Sequence, residues 1–494
     1  MKRRAKCCHN SPAAMGHESS VSRREAVLGM AGLITCAASG NPISAASAEK
    51  VFRAGAYAID ITPAQFPVYV NGGFAERSCD TVVDRLHARC LVLHDGHQQI
   101  AIVVVDTCLL SRNTLDEAKR LAFEATRIAE DRMLISATHT HTAPSVVAVL
   151  GSRVNEAYAA GLPKLIAEGI TRAQKNLAPA RVGWAVGKDP KNVFCRRFLM
   201  KPGTAKTVRF TGHAENQAQM NPGNQNPNAV HPTGPADDDV SLLAVETPDG
   251  RPLAVLANYS THYAGSQPLS ADYFGVFCQR MGELLGAKEQ PAFVGLMSNG
   301  TSGDANCNDA RNPKRKYDRF TVAEDVVQAA LTAYRTIRFQ NWVPLAMVER
   351  RLTLSMRAPT ATEVAEAKQY VAAMNGRMPK TMEEVYAHET LIISQIPPTR
   401  ELKLQAIRIG DLGIAATPCE VYGITGLTIK RQSPLKPTFN ISLANGYDGY
   451  LPPPEQHKLG GYTTWRARSS CLEVEAEPKI RTAVLELLQT VATA

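Results

Sequence analysis

Ser136-Ala-Thr-His-Thr-His-Thr-Ala-Pro144 follows directly on the apolar run Met133-Leu-Ile135, and its reading decides what kind of chain this is. Residues 134–137 read as a buried strand that delivers His139 and His141, two positions apart, into a polar turn. Period-two alternation sends the two imidazoles to opposite faces if the strand continues, so one can bind metal while the other moves protons. A His-x-His pair by itself equally marks surface or hydrogen-bonded core histidines. It gains weight from three further positions, His262, Glu420 and Tyr450.

Outward from this turn, strand and helix signals alternate without a detectable internal repeat. Residues 89–93 and 100–105 flank Asp95-Gly96 and predict a hairpin, and 115–128 has helical spacing after polar capping residues. Residues 156–177 predict a long helix. Residues 240–246 and 252–257 predict a second hairpin about Pro248-Asp-Gly250, followed by a helix over 273–285 and a short strand over 292–297. A helix over 322–334 and a hairpin over 402–416, about Gly410-Asp-Leu-Gly413, complete the regular pattern. The expected fold class is α/β, mixed sheets with hairpins flanked by helices, because hairpins argue against a purely parallel sheet. Two excursions stand out. Residues 200–239 are rich in Pro, Gly, Asn and Gln and predict a long irregular loop of functional size. Residues 363–388 predict a polar helical pair, an insertion over about 360–390 that is either solvated or a lid.

Residues 1–48 stand apart from this pattern, leaving 49–494 as the folded domain. Ser22-Arg-Arg-Glu-Ala-Val-Leu28 sets twin arginines ahead of an apolar stretch, and Ala46-Ser-Ala48 offers a small-residue cleavage site. Together they predict a twin-arginine export signal and a periplasmic or extracellular protein. The apolar part is too short for a stable membrane span, since Ser39, Gly40, Asn41 and Pro42 interrupt it. A lipoprotein site at Cys36 and a start at Met15 are alternative readings of the same stretch.

Removing residues 1–48 takes six basic residues (Lys2, Arg3, Arg4, Lys6, Arg23, Arg24) and two acidic ones (Glu18, Glu25) from a chain of 494 residues and net charge +9. The remaining 446 residues carry +5, too mild for a nucleic-acid partner, and no basic cluster with interleaved aromatics is present. The hydrophobic content of 44% is ordinary for a soluble globular protein of this length. Eight of the 11 cysteines lie beyond residue 48 with no Cys-x-x-Cys among them, which argues against a zinc knuckle or redox pair and leaves disulfide pairing open.

Three other blocks end strands or hairpins, where a rigid scaffold meets accessible surface. Ala257-Asn-Tyr-Ser-Thr-His-Tyr-Ala-Gly265 delivers His262 into a small-residue turn, and Ala415-Ala-Thr-Pro-Cys-Glu420 sets a carboxylate at a hairpin rim. The loop Ser298-Asn-Gly-Thr-Ser-Gly-Asp-Ala-Asn-Cys-Asn308, holding Gly303, Asp304 and Asn306, has glycines that let backbone N–H groups point at a ligand. It lacks the Gly-Lys-Ser/Thr ending of a phosphate loop, and Asp309 and Arg315 stand where a calcium loop needs glycine and glutamate. In Asn445-Gly-Tyr-Asp-Gly-Tyr450, followed twelve residues later by Tyr462, tyrosines either pack or sit near a cation, where a phenol donates to a developing oxyanion.

These blocks, in this order, resemble the catalytic domain of the neutral (neutral/alkaline, non-lysosomal) ceramidase family. Ala54-Gly-Ala-Tyr-Ala-Ile-Asp-Ile-Thr-Pro63 and Asp84-Arg-Leu-His-Ala-Arg-Cys-Leu-Val-Leu93 look like its N-terminal strands, and Thr138-His-Thr-His-Thr-Ala-Pro144 looks like its Thr-His-Thr-His-Ser-x-Pro motif. The resemblance implies that His139, His262, Glu420 and Tyr450 coordinate one zinc ion (Zn2+), with His141 acting beside it on protons. It further implies an active-site arginine at Arg196 and a tyrosine facing the oxyanion at Tyr462. Where the family reads Gly-Asp-Val-Ser-Pro-Asn this chain reads Gly303-Asp-Ala-Asn-Cys-Asn308, so the family's active-site serine is Asn306 here. The family's following immunoglobulin-like domain has no counterpart in the 32 residues after Tyr462, which suffice for one terminal helix.

The expectation is therefore an exported, zinc-dependent amide or ester hydrolase using zinc-activated water, with a small-molecule or lipid substrate and no nucleic acid. Two rival readings remain: a non-catalytic metal- or ligand-binding protein on the same fold, and an esterase or phosphoesterase with an unrelated substrate. The substrate itself and the oligomeric state are not fixed by the sequence.

Overall fold

Ile100-Ala-Ile-Val-Val-Val105 offers no polar residue to mark an outside face, and the computed structural model shows why: both faces of its sheet are covered. The structure describes residues 50–287 and 292–494. The expected export signal over residues 1–48 lies outside them.

Three main sheets share one central core. The first runs Met133–Ala137, Gln99–Val105, His87–His94, Arg53–Asp60 and Ala178–Pro179 in spatial order. The second runs Val294–Asn299, Pro252–Tyr259, Asp239–Glu246 and Arg181–Lys188, and the third Leu345–Ser355, Thr399–Ile409, Leu412–Ala416 and Thr438–Ile441. One face of each sheet enters the common core, with Leu91, Ile102, Leu243, Leu256, Ile407 and Ile414 interlocking there. The alternate residues face outward onto helices. Cys90, Val92 and Val103 meet Arg112–Thr126 and Glu156–Lys175, while Leu242, Val255 and Tyr259 meet Asp272–Leu284 and Arg319–Tyr334. Leu404 and Ala406 meet the terminal helix Ala476–Ala492. Period two thus persists in strands that read as continuously apolar, because both sets of alternating side chains leave water.

Each sheet is built by the same connectivity. An antiparallel hairpin is followed by a helix that crosses over and returns as a strand parallel to the second hairpin strand. The crossover helices are Arg112–Thr126, Asp272–Leu284 and Gly423–Gln432. The sequence shows no repeat, so this threefold recurrence is visible only in the structure. Mixed sheets with hairpins and flanking helices agree with the sequence expectation.

Two expectations need correction. Residues 200–239 are not wholly irregular, since Ala218–Met220 and Ala229–Pro232 flank Arg197–Met200 in a small sheet. The helical pair, Ala361–Ala372 and Met382–Ile393, is not simply solvated: Ala367, Tyr386 and Ala387 are buried against Phe210 and Trp465. Thr360 and Thr381 cap these helices in boxes with Glu363 and Glu384. All eight described cysteines are free thiols, seven of them buried. Among the described residues no helix is long and apolar enough to cross a membrane.

Candidate metal centre

Three strand ends meet at one point. His139 comes just after Met133–Ala137, His262 just after Pro252–Tyr259 and Glu420 just after Leu412–Ala416, one residue from each sheet. The strand before His139 stops at Ala137, and His139 itself adopts a left-handed backbone with φ 72°. Strand alternation therefore ends before the histidines, and the expectation of opposite faces fails. Both imidazoles turn into the same cavity, with their Nε2 atoms 3.4 Å apart. The threonines of the motif satisfy the buried turn: the Thr140 and Thr142 hydroxyls both donate to the Ser270 carbonyl, at 2.9 and 3.1 Å.

The donor geometry is specific. His139 Nδ1 lies 2.9 Å from the Cys108 carbonyl and His262 Nδ1 lies 3.0 Å from the Ser302 carbonyl. A carbonyl only accepts, so both Nδ1 atoms carry the hydrogen and both Nε2 atoms present lone pairs. Those two lone-pair nitrogens are 3.0 Å apart, and Glu420 Oε2 lies 3.3 Å from the first and 3.8 Å from the second. Glu420 Oε2 is buried without a hydrogen-bond partner. Three electron-pair donors that face one another in a buried pocket repel unless a cation lies between them. The titration directions say the same. Burial disfavours charge on His139, but the Cys108 thiol and the Glu420 carboxylate outweigh it and hold His139 well above the ordinary histidine value. Burial, reinforced by Arg196, holds His262 well below it, and burial with the adjacent His139 does the same to His141. The cluster favours one positive charge, and the His, His, carboxylate set is a chemically sound zinc site.

Around these donors the cavity, of about 310 Å³, gathers the remaining expected residues. Tyr450 is the direct cross-strand partner of Glu420 in a short parallel ladder, and its hydroxyl lies 3.4 Å from Arg196 Nη2. Arg196 is buried, donates to the Gly303 carbonyl at 3.1 Å and pairs with no carboxylate among the described residues. Tyr462 packs edge-on to Tyr450, with ring centroids 5.4 Å apart. Burial pushes both phenols up, so they remain protonated donors.

The loop with Gly303, Asp304 and Asn306 supports the site from behind. A side chain at Gly303 would lie 2.5 Å from the Glu420 carbonyl, a clash with backbone that reserves the position for glycine. Asp304 faces away from the cavity, accepting the Gly423 N–H at 2.8 Å at the start of the helix Gly423–Gln432. Asn306 does not line the cavity; its amide donates to Asn221, at 2.9 Å, and Asn221 does line it.

Four functional neighbours escaped the sequence reading. Tyr447 donates to Glu420 Oε1 at 3.3 Å, and Tyr263 stacks on His141 at 3.9 Å between centroids. Cys108 supplies the carbonyl behind His139, and Gly72, at φ 98°, leaves room for the His141 ring, which an added Cβ would meet at 2.4 Å. Tyr447 and Tyr263 stand inside blocks already singled out, but adjacency in sequence does not reveal which tyrosine of a cluster faces inward.

No protein-family model matches the chain, and no curated protein matches it. The fold does have solved counterparts. The crystal structure of neutral ceramidase from Pseudomonas aeruginosa superposes with a TM-score of 0.67 at 16% identity, covering 89% of this chain and 74% of that one. A ceramidase complexed with C2 superposes with a TM-score of 0.66 at 15% identity, covering 90% of this chain and 75% of that one. The chain therefore has a neutral ceramidase-like fold.

Proposed function

We propose that this chain is a zinc-dependent hydrolase of the neutral ceramidase type, cleaving an acyl amide or ester. The observation that carries the reading is the convergence of His139 Nε2, His262 Nε2 and the unpartnered Glu420 Oε2. His139, His262 and Glu420 would hold the ion, with the Tyr450 hydroxyl beside them. When bound, the ion supplies Lewis acidity, polarising a carbonyl and making water a competent nucleophile near neutral pH.

The chain's own residues supply the rest. His141, kept neutral by burial and by the neighbouring His139, is poised to accept a proton from water and return it to the leaving atom. Arg196 and the protonated Tyr462 hydroxyl can donate to the oxygen on which negative charge develops. Phe74, Leu150, Met382 and Trp465 give the cavity an apolar wall fit for an acyl chain and keep it dry. A metal content near one zinc per chain, with hydrolysis of acyl amides or esters but not phosphoesters, is the expected result for the protein purified without chelator. Absence of metal that zinc addition fails to restore overturns the reading.

We also read the protein as exported, on the strength of Arg23-Arg24 and Ala46-Ser-Ala48. Free thiols at all eight described cysteines fit export of a chain that folds first in a reducing compartment. Lysine at both Arg23 and Arg24 should leave the precursor in the cytoplasm.

A further inference from the structure

His141 faces two cavities. On one side its Nε2 looks toward His139; on the other, together with Gly72 and Tyr263, it lines a second depression bounded by Arg77, Ser266 and Gln267. Gly72, His141 and Tyr263 line both cavities, so the two adjoin at the stacked, half-buried His141–Tyr263 pair. Among the described residues no aspartate or glutamate lines the second cavity.

Arg77 is held in place there without being neutralised. Its Nη2 donates to the Asn71 carbonyl at 2.6 Å and to the His141 carbonyl at 2.9 Å, which pins the guanidinium beside His141. Its Nε is buried with no hydrogen-bond partner. The neighbouring Glu76 does not serve it, being held by both Nε and Nη2 of Arg153 at 2.6 and 2.7 Å. Arg77 forms no ion pair among the described residues; with Nη2 engaged by two carbonyls and Nε enclosed, Nη1 is the donor left for a ligand in the depression that Arg77 lines next to the proton-moving histidine. A charge-assisted hydrogen bond from that guanidinium nitrogen suits a carboxylate oxygen.

Resting on the hydrolase reading above, we propose that the second cavity receives the leaving half of the substrate and that Arg77 binds a carboxylate on it. The substrate class is then acyl amides whose amine half carries a carboxylate, that is, N-acylated amino acids. The acyl chain occupies the apolar wall of the first cavity. The acyl carbon gains the oxygen of water, the C–N bond breaks, and His141 passes the water proton to the departing nitrogen where the two cavities adjoin. The products are a fatty or short-chain acid and a free amino acid.

The test compares N-hexanoylglycine with its neutral isostere N-hexanoylglycinamide, in wild type and Arg77→Gln. Wild type should favour the carboxylate by about 10–100-fold in kcat/KM, carried by KM, as expected for charge-assisted hydrogen bonds. In Arg77→Gln that ratio should collapse toward one. A merely structural role for Arg77 would lower both substrates together and leave the ratio intact, which overturns the proposal, as does a wild-type ratio near one. Calorimetric binding of 4-oxononanoate, in which a methylene replaces the amide nitrogen, against nonan-4-one gives a readout free of turnover. An Arg77-dependent preference for 4-oxononanoate in a protein that hydrolyses no acyl amide keeps the subsite and removes the hydrolase reading. Hydrolysis of both amides at an Arg77-independent ratio does the reverse.

Discussion

Replacing Tyr447 by Phe removes one hydroxyl while keeping the ring that fills the same space. Burial pushes this phenol up, so it stays protonated and donates to Glu420 Oε1, leaving Oε2 to face the histidines. A hydrogen bond to a charged acceptor contributes roughly 1.5–3 kcal/mol. At 3.3 Å this one belongs at the lower end. Losing about 1.5 kcal/mol weakens zinc binding about tenfold, near the bottom of the roughly 10–100-fold range for residues that orient metal ligands. The assay is competition for zinc against a chelator of known affinity at pH 7.5. Tyr158→Phe is the control, because that hydroxyl donates to the Ile61 carbonyl and takes no part in the cavity. If Tyr447→Phe holds zinc as tightly as wild type while Glu420→Gln loses it, Tyr447 does not orient the carboxylate and the argument is refuted.

His139→Ala and His262→Ala should each lose zinc and activity together, measured by elemental analysis and turnover on the same preparation; retention of stoichiometric zinc in either variant removes that histidine from the donor set. His141→Ala should keep zinc and lower turnover by about 10²–10⁴, and Tyr462→Phe should keep zinc and lower it by about 10²–10³. Unchanged turnover in both would break the assigned mechanism even with the metal site intact. Burial pushes the Asp304 carboxyl from 3.8 up to about 6. A folded value above the unfolded one makes ionisation unfavourable to the native state, so this group's stabilising contribution is complete below about pH 4 and is lost as pH rises through about 6. Its size is up to about 3 kcal/mol, from roughly two pH units at ~1.4 kcal/mol each. Asp304→Asn should flatten that part of the urea-stability profile between pH 4 and 7, and an unchanged slope excludes it.

Local signals recovered the central hairpin of each main sheet and most of the helices, and the reason differs from element to element. The turns at Asp95-Gly96, Pro248-Asp-Gly250 and Gly410-Asp-Leu-Gly413 announced three hairpins, each found in the structure. Arg181–Lys188 and Leu345–Ser355 went unread because they are outer strands of their sheets with mixed polarity and no tight turn of their own. The helix Gly423–Gln432 went unread because its threonines, glycines and isoleucines are weak helix formers, and tertiary packing over Thr301 and Asp304 overrides that preference. At the site, residue types and order were legible while direction was not. Whether His139 and His141 share a face depends on one left-handed residue, and no alternation pattern encodes where a strand stops.

The recurrence of hairpin, crossover helix and parallel strand explains why the candidate ligands lie so far apart in sequence. His139 follows the strand that returns from a crossover helix, whereas His262 and Glu420 follow the second hairpin strand of their units, but each of these strands has a parallel neighbour and its end turns inward. Such strand ends are where ligands collect in α/β sheets. Because His139, His262 and Glu420 come from three different sheets, no single unit can form the donor set. An ion held by these three residues would link all three sheets. Metal affinity and the packing of Leu91, Leu243 and Ile407 would then be coupled: loosening the core would separate the donors, and a bound ion would favour the packed arrangement by mass action.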